Sequence, residues 1–161
     1  MSSREDYQSL AESLTGRAEV LVRFRYPPGA KSAGEVYRFE DAPGWLAIDI
    51  SPDLSGRDKL RVFLHECSHI IMEHHKYLVP LPAAEEISGA AKLESKQYKP
   101  RLAAKVAGEV ARREREADVL ADEMIAWAEK RISSYVEPGA SWARKEPLLI
   151  VALKFFRESE L

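Results

Sequence analysis

Apolar and polar residues change their spacing several times along the chain, and each change predicts an element. Residues 4–16 (REDYQSLAESLTG) put Tyr7, Leu10 and Leu14 on one side of a short amphipathic helix, with Gly16 as its stop. Ala18–Tyr26 (AEVLVRFRY) alternates with a period of two, the mark of a half-buried strand, and Pro27-Pro28-Gly29 ends it. Further strands at about Glu35–Phe39 and Trp45–Ile50 flank the turn signal Asp41-Ala42-Pro43-Gly44, which predicts an antiparallel hairpin. The β part therefore spans about 18–50, and Ser51-Pro52-Asp53 closes it. Helical spacing returns over about 56–75 (GRDKLRVFLHECSHIIMEHH). Prolines 80, 82 and 100 break up the stretch 76–100, which reads as an insertion. An alanine-rich helical pattern covers about 101–131. After Pro138-Gly139 a last helix, 141–159, turns Leu149, Ile150, Ala152, Leu153 and Phe156 to one side. No internal repeat is present. The expected fold is α+β and a single domain over residues 1–161, a small antiparallel three-stranded sheet packed on two helices.

Composition narrows the function. At 161 residues and 45% hydrophobic, the chain can bury a core without disulfides. Its 24 basic and 26 acidic residues nearly cancel, to a net charge of −2, so neither nucleic acid nor an anionic membrane is expected as a partner. The lone Cys67 excludes an intrachain disulfide and suits a reducing compartment. The first residues lack a signal-like apolar stretch, and no uncharged run approaches the roughly 18–20 residues that span a bilayer. A cytoplasmic protein is expected.

Residues 65–69 read His-Glu-Cys-Ser-His, the HExxH pattern. Histidines four apart on a helix share a face, so both imidazoles can converge on one zinc ion. The intervening glutamate, Glu66, is offset around the helix and reaches the water rather than the metal, as a general base would. All four histidines of the chain fall between 65 and 75. Leu60, Phe63, Leu64, Cys67 and Ile71 form the opposite, core-facing side, so Cys67 reads as a small buried apolar residue.

A catalytic zinc takes three protein ligands and leaves a fourth position open. His75 stands where a third histidine would follow a turn, but Met72 replaces the glycine such a turn uses. If the helix simply continued, His75 would point roughly 100° away. Glu73 lies too far along the axis. The favoured candidate is Glu114, with Asp118, four residues later on the same face, as its companion. Their face continues through Ala103, Ala107, Val110, Ala121, Ile125 and Ala128, which predicts a buried stripe where two carboxylates need a cation. Glu116, beside Glu109, Arg112 and Glu123, reads as a solvated charge. His74, His75, Tyr77 and Tyr98 are candidates to stabilise an oxyanion.

Taken together, FLHECSHIIMEHH followed by EREADVLADEM resembles the ImmA/IrrE-type zinc metallopeptidases, a gluzincin-like family with the pattern HExxH…ExxAD. The likeness runs from about Trp45 to Met124, with Ser68 where family members often carry glycine. It implies a zincin-like minimal metallopeptidase fold and one zinc per chain on His65, His69 and Glu114, with Asp118 behind a histidine ligand. It also implies an endopeptidase that cuts a specific partner protein, such as a transcriptional repressor encoded nearby. Strand 45–50 is the expected edge on which an extended substrate would lie. The alternative is a catalytically silent zinc-binding module that acts on a partner by docking. The oligomeric state is not legible.

Overall fold

Ser3 opens the first helix by a reciprocal cap: its hydroxyl accepts from the Asp6 N–H, and the Asp6 carboxylate accepts from the Ser3 N–H. In this computed structural model, which describes residues 2–27, 32–39, 41–77 and 100–160, α1 spans Arg4–Thr15 and stops at Gly16 in the left-handed region (φ 66°). Tyr7, Leu10 and Leu14 are fully buried, on the side the spacing indicated. Three strands follow, β1 Val20–Phe24, β2 Gly34–Arg38 and β3 Leu46–Ile50. Among the described residues four α-helical segments follow: α2 Gly56–Ile71, α3 Pro100–Ile132, α4 Trp142–Leu153 and α5 Phe156–Glu160. A 3-10 turn over His74–Tyr77 lies between α2 and α3.

The sheet is mixed rather than antiparallel. Its order is β1-β3-β2, with β3 antiparallel to β2 and parallel to β1. The turn at 41–44 does join β2 and β3 as an antiparallel pair, but β3 inserts between its two predecessors. The cause is burial: every residue of β3 is buried, as suits a strand covered on both faces, whereas β1 and β2 are not buried throughout. With both sides paired, β3 is not the sheet edge expected for it; among the described strands the edges are β1 and β2. On one face Val20, Val22, Val36, Leu46, Ile48 and Ile50 meet α1 and α2 in a single core. On the other, Asp49 is wholly buried and takes two hydrogen bonds from its cross-strand neighbour Arg23 (2.6 and 3.1 Å) and one from Arg25 (3.1 Å).

Other boundaries move as well. The HExxH helix ends at Ile71, four residues short of expectation, because the chain turns at Met72 and Glu73. Glu73 has a φ of 62°, a left-handed conformation that is uncommon for a side chain of its size. Leu60, Phe63, Leu64 and Cys67 are fully buried as expected, but at the helix end Ile70, not Ile71, is the buried residue. The expected last helix is two, parted at Lys154–Phe155, with Leu149, Ile150, Leu153 and Phe156 buried. Most of the segment 76–100, including Tyr98, lies outside the described residues, as does the Tyr77 side chain. Among the described residues no helix is long and apolar enough to cross a membrane.

Candidate metal centre

Side chains four apart stack on one helical face, and two such rows meet where α2 packs on α3. Arg61, His65 and His69 form the row on α2; Asp122, Asp118 and Glu114 form the row on α3. They pair in opposite directions along the chain, which makes the helices antiparallel at this contact. Arg61 Nε bonds Asp122 at 3.0 Å, and its Nη2 lies 3.6 Å from Asp118. His65 Nδ1 is 2.8 Å from Asp118, His65 Nε2 is 2.9 Å from Glu114, and His69 Nε2 is 3.0 Å from the other Glu114 oxygen. The two Nε2 atoms are themselves 3.1 Å apart. His65, His69 and Glu114 thus form a group that could hold a metal ion.

The donor chemistry of this group is one-sided. With the proton of His65 on Nδ1, where Asp118 accepts it, its Nε2 presents a lone pair. If His69 likewise keeps its proton on Nδ1, two imidazole lone pairs and a carboxylate face one point. Only cationic charge, borne by protons or by a metal, stabilises such an arrangement. Where protons on Nε2 bear that charge, hydrogen bonds from His65 and His69 hold the Glu114 carboxyl well below the usual carboxylate range. Burial pulls the His65 imidazole down, but Glu114, Glu66 and Asp118 together outweigh it and leave its pKa raised.

Glu66 lines the same cleft but is not one of the converging donors. Its side chain is buried beneath β2, and burial pushes its pKa up to about 8, against a smaller opposing pull from His65. Gly34 makes this seat: a Cβ there would come within 2.7 Å of Val62 Cγ1 and 3.2 Å of Glu66 Cγ. Cys67, 0% exposed, faces the core, and burial raises its thiol far above normal. A cleft of about 570 Å³ opens over the histidines, bordered by Gly34, Glu35, Val36, Val62, Val110 and Arg113.

Some expectations fail on burial. The stripe on α3 is buried at Ala117, Ala121, Ile125 and Ala128, but Ala107 is exposed and Val110 is 47% exposed; the Ala103 side chain lies outside those described. Glu114 and Asp118 consequently sit where α3 leaves the core for the cleft, with side chains 52% and 47% exposed, not on a sealed face. Glu116 is not simply solvated: besides Arg112 it holds His74 Nε2 at 2.9 Å. His74, whose Nδ1 lies 2.9 Å from His69 Nδ1, has both ring nitrogens engaged and none left for an oxyanion. His75 does border the cleft. Sequence reasoning missed Arg61, which its spacing four before His65 could have revealed. It also missed the β2 wall and Arg113, for which no local pattern exists.

Comparison with known proteins finds no matching family model, no matching curated protein and no matching solved structure.

Proposed function

We propose that the chain is a zinc-dependent endopeptidase in which His65, His69 and Glu114 bind the metal and Glu66 is the general base. The observation that carries this reading is the convergence of three donor groups, with a buried carboxyl from the same helix beside the same cleft. Zinc fits the donors. Tetrahedral coordination with bonds of about 2.0–2.1 Å sets neighbouring ligand atoms roughly 3.3 Å apart. Here the two imidazole Nε2 atoms are 3.1 Å apart, and one donor atom from each of the three residues lies within 4.8 Å of the others. Two imidazoles and one carboxylate are a donor set typical of catalytic zinc sites, which keep a position for water, rather than of closed structural ones.

When bound, zinc supplies Lewis acidity and brings the pKa of a coordinated water toward about 7. Glu66, whose carboxyl would ionise near neutral pH with a cation beside it, would take the proton of an attacking water. Glu66 then passes that proton to the leaving amine. Asp118 keeps His65 in the Nδ1–H tautomer, and Arg61 holds Asp118. An extended substrate pairs with the outer edge of β2, which borders the cleft and has no strand on that side among the described residues. The chemistry and the resemblance to ImmA/IrrE-type enzymes together favour a partner protein, such as a regulator encoded nearby, as substrate.

The test joins metal analysis to cleavage of candidate partners. Wild type should carry about one zinc per chain, and Glu66→Gln should keep the zinc while losing hydrolysis by about 10²-fold or more. Wild-type rates from that variant would remove Glu66 from its role. Zinc without cleavage of any partner would point instead to a docking module.

A further inference from the structure

We propose that His74 is a positioning residue of the metal centre, linking the Glu116 carboxylate to the outer nitrogen of His69. The inference rests on the metal-site reading above.

His69 turns Nε2 toward His65 and Glu114, so Nδ1 faces the other way, 2.9 Å from His74 Nδ1. Beyond it, His74 Nε2 lies 2.9 Å from Glu116 Oε2, and Arg112 Nη1 holds the second Glu116 oxygen at 2.9 Å. Proton positions follow from the ligand role. A histidine that binds a cation through Nε2 carries its proton on Nδ1. His69 therefore donates to His74 Nδ1, which must be a bare lone pair. His74 then bears its own proton on Nε2 and donates it to Glu116. Every nitrogen is used once, and no two donors face each other.

The result matches the other ligand in effect. His65 has a carboxylate directly behind it, Asp118 at 2.8 Å; His69 has one behind an intervening imidazole. A partner of this kind fixes the tautomer and ring plane of a ligand and raises its basicity.

Backbone conformation supports a specific purpose for the turn. Had α2 continued, residue 74 would lie roughly 7.5 Å further along the axis than residue 69 and about 140° around it. Glu73 instead enters the left-handed region at φ 62°, and the reversal brings His74 back behind His69, where it is only 9% exposed. A mere clasp between this turn and α3 would stabilise the fold but would not tune the metal.

Zinc dissociation constants from competition with a chromogenic chelator, together with cobalt(II) d–d spectra, separate these roles. His69→Ala should lose tight zinc binding and the tetrahedral cobalt spectrum. His74→Ala should bind zinc about 10–100-fold more weakly and shift the cobalt bands. His74→Asn, which restores an acceptor near the Nδ1 position, should recover part of that loss. Glu116→Gln, a partly exposed site on α3 with little consequence for folding, should weaken zinc by several-fold and decides the matter if His74 variants fold poorly. Wild-type zinc affinity and cobalt spectra in both His74→Ala and Glu116→Gln would overturn the proposal while leaving the metal site standing. Failure of the metal site itself looks different: wild type would then show neither tight zinc nor a tetrahedral cobalt spectrum.

Discussion

Glu66 combines two properties that rarely coexist without a purpose, a titratable side chain and a seat that is 6% exposed. Its carboxyl pKa rises from 4.5 to about 8 on folding, with burial the dominant cause. Between those values the folded chain holds a proton that the unfolded chain has released, so this group's contribution to stability falls as pH climbs through that interval. His65, whose pKa is also raised, acts in the same direction as pH passes its folded value, while Glu114 acts only at low pH because its pKa is lowered. Comparison with Glu66→Gln isolates the one carboxyl. In metal-free protein the thermal midpoint of that variant should gain on wild type steadily from about pH 5 to about pH 8. Parallel curves for the two proteins would show that Glu66 is not buried as a proton-binding group.

At the scale of elements, two contacts shape the site. The approach of β2 to α2 depends on Gly34, because a methyl there meets Val62 at 2.7 Å and Ile50 at 3.1 Å. Gly34→Ala should cost about 1–3 kcal/mol in denaturant unfolding, as overpacking does, with a loss of activity beyond that explained by stability. The second contact is the turn after α2. Glu73→Gly and Glu73→Val both remove the carboxylate, so their difference reports the backbone alone. Gly should be the more stable by about 1 kcal/mol or more, since a β-branched residue resists φ 62°. Helical periodicity could not reveal this turn. Met72 and Glu73 are acceptable helix residues, and the turn there brings His74 to His69 and Glu116.

The whole molecule is a scaffold that brings residues 65–69 against 114–118, with the core formed by α1, α2, α4 and one face of the sheet, joined by the buried side of α3. Zinc that binds this arrangement and not the unfolded chain stabilises it by mass action. Stabilisation reaches about 4 kcal/mol when free zinc exceeds its dissociation constant 1,000-fold. Calorimetry should therefore show a rise in unfolding temperature with zinc that chelation reverses and His69→Ala abolishes. A midpoint indifferent to zinc in wild type would count against the metal centre. The ladder of Arg61, His65 and His69 against Asp122, Asp118 and Glu114 should melt as one unit, because each rung shares a residue with the next.

Much of this was legible from residue order, and the boundary has a physical basis. Period and end signals depend on backbone geometry within a few residues. For that reason α1, the three strands, the core side of α2 and the shared faces of His65 with His69 and of Glu114 with Asp118 could be read directly. Which segments meet is another matter. The place of β3 between its neighbours, the four-residue register of α2 on α3, the half-exposed position of Glu114, and the return of His74 and Glu116 to His69 were decided by the folded molecule. Such registers minimise buried polar groups and voids over all elements at once, and no single segment carries that information.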